Sequence, residues 1–172
     1  MKEVVLIRLG LSLFLAVSGY GVIETPVDCS VNSGLLGAFV SGTNLIEICT
    51  TNVEQSDRSL EVVLRHEMIH AIQENFEAKN SLIPEPFLTW LVVNTLDSGE
   101  VMTVLLYEKR EGSQEFEARI GSRLPNWLIG SALWVSEYRY RLANNQLSLE
   151  MPWEILPPGA LFWPDHSVLV AR

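Results

Sequence analysis

From residue 58 to residue 78 apolar side chains recur at spacings of three and four: Leu60, Val63, Leu64, Met68, Ala71, Ile72 and Phe76. That is the period of one face of an α-helix. Upstream the pattern changes. Residues 35–50 read LLGAFV, SGTN and LIEICT, two short runs rich in apolar and β-branched residues around a turn-forming tetrapeptide, which predicts a β-hairpin. The intervening TNVEQSDRS reads as a polar loop, with Ser56 or Asp57 placed to cap the helix that follows. Pro84 and Pro86 interrupt the helical period, and PFLTWLVVNTL then reads as a second, largely buried helix. A third element is expected over 100–110. Gly112 separates it from a short helix, QEFEARIGSRL, and Pro125 opens another that runs to about residue 143. The proline-containing tail, 151–172, reads as irregular chain laid over the core. Strands first and helices after predict an α+β domain, in which a small antiparallel sheet packs on the helix at 58–78.

The first eighteen residues admit two readings. A short charged start, the apolar run LGLSLFLAV and small residues at Ala16 and Ser18 match a signal peptide, while Glu3 and Arg8 fit a first buried element of the domain better. On the first reading the protein is secreted or periplasmic, on the second cytoplasmic. Either way the run falls short of the roughly 20 apolar residues that a membrane span needs. Membrane association is therefore not expected beyond such a signal segment, and residues 19–172 are expected to form a single domain.

Composition narrows the function classes. With 48% apolar and 19% charged residues the 172-residue chain should be ordered around a real core. Its net charge of −9 repels phosphate backbones and anionic lipid, so nucleic acid is not expected as a partner. Arg119, Arg123, Arg139 and Arg141 read as a solvated helix face, and the tryptophans at 127, 134, 153 and 163 as core. Cys29 and Cys49 flank the hairpin. They could pair in an oxidising compartment or remain reduced core thiols, and neither belongs to a CxxC zinc pair.

The chemistry concentrates in LRHEMIHAIQ, residues 64–73. On a helix His66 and His70 lie one turn apart and point the same way, so both imidazoles can reach one metal ion. Glu67, rotated about 100° from His66, borders that face where a general base for a metal-activated water should stand. Uncharged neighbours surround the motif, Arg65 apart, and burying two imidazoles and a carboxylate among them without a partner would be costly. Catalytic zinc takes three protein ligands and leaves one position open, so a third ligand is required. Glu115 and Glu117 in QEFEAR and His166 in PDHS are candidates, with Glu85 and Glu108 behind them. Glu115 and Glu117 lie about 200° apart on a helix, so only one of them can face the ion.

HEMIHAIQ followed by EFEAR resembles the gluzincin branch of the zincin metallopeptidases, which join an HExxH helix to a downstream ExxA helix. It is most similar to compact members such as the ImmA/IrrE-like bacterial and phage peptidases. The resemblance covers residues 35–125 and implies one Zn²⁺ held by His66, His70 and Glu115, with Ala118 as the packing residue between the two helices. It implies Glu67 as general base and a peptide or protein as substrate. Where many relatives carry Asp or Asn after the alanine this chain has Arg119, and Glu117 could take over part of the support that such a residue gives a histidine ligand. Tyr107, Tyr138 and His166 are candidates to stabilise the oxyanion. An alternative class is a zinc-binding but non-hydrolytic sensor or interaction module, and a third is a metal-free helical interaction protein.

Overall fold

A computed structural model describes residues 2–24, 28–76, 81–106 and 109–144. The chain runs α1 (Lys2–Ser18), β1 (Gly21–Glu24), α2 (Asp28–Val31), β2 (Gly37–Val40), β3 (Leu45–Ile48), α3 (Thr50–Gln55), α4 (Leu60–Asn75), α5 (Glu85–Thr95), α6 (Ser98–Val104), α7 (Lys109–Gly121) and α8 (Asn126–Ala143). Two compact units divide it, Met1–Tyr140 and Arg141–Arg172, and the architecture below is that of the first. Tyr107, Glu108, Trp153, Trp163, His166 and the 151–172 tail lie outside the described residues.

The fold class is α+β, as expected, and the hairpin forms where the sequence puts it. β2 and β3 pair antiparallel around a turn in which Gly42 and Asn44 take positive φ. The sheet itself is mixed, not purely antiparallel. Gly19, at φ 81°, closes α1 and reverses the chain, so that β1 adds to β3 in parallel and the order becomes β1-β3-β2. β3 is therefore central and alternates in burial, with Ile46 and Ile48 facing the core. β2 is an edge strand.

Ser59 starts the helix that bears the motif: its backbone is extended and its hydroxyl accepts the N–H of Val62. The expected caps, Ser56 and Asp57, are displaced because the expected loop is largely helix, α3, and Ser56 ends it with an N–H to the Val53 carbonyl. α4 contributes Val63, Met68, Ala71 and Ile72 to a core completed by Leu11 and Leu15 of α1, Ile46, Ile48, Ala118, Ile129 and Leu133. Cys29 and Cys49 are joined in a disulfide with Cα atoms 5.4 Å apart, tying α2 to the end of β3.

Two other expectations are corrected. α5 is not a buried helix: Leu88 is its one buried residue, while Phe87, Trp90 and Val93 are exposed and the two rings stack on each other at 5.8 Å. An apolar run without a helical stripe says nothing about which side is covered. Trp127 and Trp134 on α8 are likewise exposed rather than core. Of the arginines read as a solvated face, Arg123 and Arg139 are exposed, the first paired with Glu100 and the second over the Phe76 ring at 5.1 Å, whereas Arg119 is partly buried on Glu115.

Candidate metal centre

α7 crosses α4 at a seam of small residues. Ala118 is fully buried there, and a Cβ added to Gly121 would stand 2.7 Å from Ile69 Cδ1, so a larger residue would require Ile69 or the helices to shift. Arg65 fastens the α4 side, its Nε donating to the Ser122 carbonyl at 2.6 Å and its Nη1 to Asn126 Oδ1 at 2.5 Å. This crossing carries Glu115 to the two histidines.

His66 Nε2 and His70 Nε2 are 3.2 Å apart, and Glu115 Oε2 lies 3.4 Å from the first and 3.6 Å from the second. A point in the plane of these three atoms is about 2.0 Å from each, the length of a metal–nitrogen or metal–oxygen bond. His66, His70 and Glu115 are thus a group that could hold a metal ion, with Glu115 buried and both imidazoles partly so.

The electrostatics follow from crowding. Burial alone would raise the Glu115 carboxyl pKa, but the His66 and His70 imidazoles, 3.4 and 3.6 Å from its Oε2, and the Arg119 guanidinium beside it hold it far below the carboxylate range. Burial disfavours the His70 cation, yet Glu115, Glu67 and Gln73 outweigh it and the pKa is raised. The cluster draws positive charge to its centre, as a proton or as a metal ion. Arg119 Nε donates to Glu115 Oε1 at 2.9 Å, which leaves Oε2 for the centre.

Glu67 is 6% exposed and accepts the Phe39 N–H on Oε2 at 2.8 Å, so the edge strand holds it. Burial pushes its pKa up, against the lowering influence of the two histidines. A cavity of about 220 Å³ opens on this group, walled by residues 34–37 and by Val63, His66, Glu67, Glu115 and Arg119.

Of the other candidates, Glu117 is buried and turned away from the imidazoles, bonded to Gln73, Ser81 and Ile83. Glu85 stands exposed in the first turn of α5. Tyr138 is half exposed on α8, stacked on Trp134 at 6.0 Å, and does not line the cavity. Gln73, Gly37 and the Phe39 N–H belong to the site without belonging to either sequence motif. Gln73 had a signal, since three residues past His70 on a helix it must neighbour that ring. The Phe39 amide had none, because a backbone donor carries no side-chain signature. Comparison with protein families, with curated proteins and with solved structures found no match.

Proposed function

We propose that the chain is a zinc-dependent peptidase of zincin-like build, with His66, His70 and Glu115 as ligands and Glu67 as general base. The observation that carries this reading is the donor triangle, with edges of 3.2, 3.4 and 3.6 Å, opening on a cavity that Glu67 also lines. Tetrahedral zinc with arms of about 2.0–2.1 Å separates its ligand atoms by about 3.3–3.4 Å, and three protein donors with an open fourth position are the catalytic rather than the structural arrangement. Two imidazoles and a carboxylate suit zinc better than the all-oxygen cations.

Bound zinc supplies Lewis acidity, lowering the pKa of a water and polarising the carbonyl under attack. Glu67 receives the water's proton and returns it to the leaving amine. Its raised pKa favours that shuttle, and the Phe39 N–H occupies Oε2 so that Oε1 is left for the work. An extended peptide would lie along the open edge at the start of β2, where Gly34–Gly37 wall the cavity, and pair with it as an added strand.

The test is zinc content by mass spectrometry alongside hydrolysis of a fluorogenic peptide library. Glu67→Gln should keep one zinc per chain and lose hydrolysis by at least about 10²-fold, within the range for a general base. Glu115→Ala should lose the zinc. Zinc lost from Glu117→Ala while Glu115→Ala keeps it would overturn the ligand assignment, and hydrolysis surviving in Glu67→Gln would overturn the base.

A further inference from the structure

Gln73 is 3% exposed, and both ends of its amide are committed. Its nitrogen stands 2.8 Å from Glu117 Oε2 and 3.0 Å from the Gln114 carbonyl oxygen. A carbonyl oxygen can only accept, so the group facing it must be the NH₂. The other end, Oε1, is then fixed 2.8 Å from His70 Nδ1. That oxygen is also an acceptor only, so the hydrogen between them belongs to Nδ1. Turning the amide over would set an oxygen against the carbonyl and the carboxylate and forfeit two hydrogen bonds, one of them buried.

We propose that Gln73, clamped by Glu117, locks His70 in the Nδ1–H tautomer and so aims its Nε2 lone pair at the metal centre before any ion arrives. A neutral imidazole with a hydrogen on Nδ1 has none on Nε2. Here Nε2 faces His66 Nε2 and Glu115 Oε2, where a second hydrogen-bond donor would compete with an incoming cation. The clamp reaches further back: Glu117 Oε1 accepts from Ser81 Oγ at 2.6 Å and from the Ile83 N–H at 2.5 Å. The stretch leading into α5 therefore fixes the carboxylate that fixes the amide that fixes the ring. Gln73 and Glu117 are positioning residues, and they supply from two helices the support usually given to a ligating histidine by one carboxylate or carbonyl.

The value of this device for catalysis rests on the peptidase reading, but the tautomer itself does not. The deciding experiment is a two-bond ¹H–¹⁵N correlation spectrum of the metal-free, ¹⁵N-labelled full chain, at a pH where the rings are neutral, with His70 assigned against His66→Gln. The wild type should show His70 protonated at Nδ1, and the near-isosteric Gln73→Met should shift it to Nε2–H. In parallel, zinc competition against a chromophoric chelator should show Gln73→Met binding about 10–100-fold more weakly with unchanged stoichiometry. An Nε2–H ring in the wild type, or an Nδ1–H ring surviving in Gln73→Met, would overturn the proposal. If Gln73→Met does not fold, the wild-type spectrum alone decides. A wild type with the Nδ1–H ring that binds no zinc would sink the peptidase reading and leave the clamp standing.

Discussion

Replacing Gly121 with alanine tests the helix crossing on which the whole site depends. The new Cβ would meet Ile69 Cδ1 at 2.7 Å and Cγ1 at 2.8 Å, against about 3.5–4.0 Å for relaxed carbon contacts. Ile69 is 8% exposed, so either its side chain shifts within the packed seam or α7 withdraws from α4 by roughly 0.7–1 Å. Overpacking of this kind costs about 1–3 kcal/mol, and the propensity gain of Ala over Gly offsets at most about 1 kcal/mol. Urea unfolding in excess EDTA should therefore show a net loss of about 1–2 kcal/mol.

Glu115 lies about 9 Å up the same helix, and ligand distances tolerate only about ±0.2 Å. Even a fraction of the shift at Gly121 should weaken zinc at least about tenfold. Ile69→Val removes the nearest clashing carbon. On its own it costs about 0.5–1.5 kcal/mol, but added to Gly121→Ala it should recover at least about 0.5 kcal/mol of the sum. Strict additivity, together with unchanged zinc affinity in Gly121→Ala, would refute the claim that this contact sets the position of Glu115.

On the peptidase proposal, Gly37→Ala should damage the proposed base and spare the proposed ligands. Its Cβ would stand 2.9 Å from Val63 Cγ1 and 3.2 Å from Glu67 Cγ, so peptide hydrolysis should fall about 10-fold or more with zinc affinity intact, and parallel losses of both would count against it. Removing the Cys29–Cys49 bridge by a double serine substitution opens a 20-residue loop and should cost about 3 kcal/mol in urea unfolding, where a loss under about 1 kcal/mol would show the crosslink to be idle. The pH dependence should differ between the two forms. In metal-free protein the depressed Glu115 contributes stability present above its ordinary pKa of 4.5 and lost as pH falls towards its folded value, while the raised His70 contributes stability present below its ordinary 6.5 and lost as pH rises through its folded pKa. Ligation needs neutral imidazoles, so the rise in Tm on adding zinc should grow between about pH 5.5 and 8, and a rise that is flat or shrinks over that window would argue against histidine ligation.

What the sequence made legible is what a strong period encodes. The hairpin at 35–50 and the helix bearing HEMIH are both found, because alternation and the three-four spacing are properties of single segments. β1 was invisible for the opposite reason: its four exposed residues become a strand through parallel pairing with β3 after the turn at Gly19. TNVEQ reads as a loop for being polar, yet Asn52 is buried and its amide nitrogen donates to the carbonyls of Cys29, Asn32 and Leu35, serving as the closure of the preceding loop. A buried polar residue that satisfies other segments' backbone has the local signature of an exposed one. Ser59, immediately before the first periodic residue, carried the better cap signal than Ser56 or Asp57 all along.

The ambiguity between Glu115 and Glu117 has a geometric origin and a geometric resolution. Two residues apart on a helix, they point about 200° from each other, which says that their roles differ without saying which is which. The seam decides. Ala118 and Gly121, the small residues against α4, lie about 60° and 120° round from Glu115 on the same side, so the contact line runs between the two carboxylates. Each glutamate stands on one flank of that line and both reach α4: Glu115 Oε2 to His66 and His70, Glu117 Oε2 to Gln73. The small residues are thus the missing term in the sequence reading. Once they are taken to define the face of α7 turned towards α4, the E-x-E spacing places one carboxylate among the imidazoles and the other behind the ring that it helps to orient.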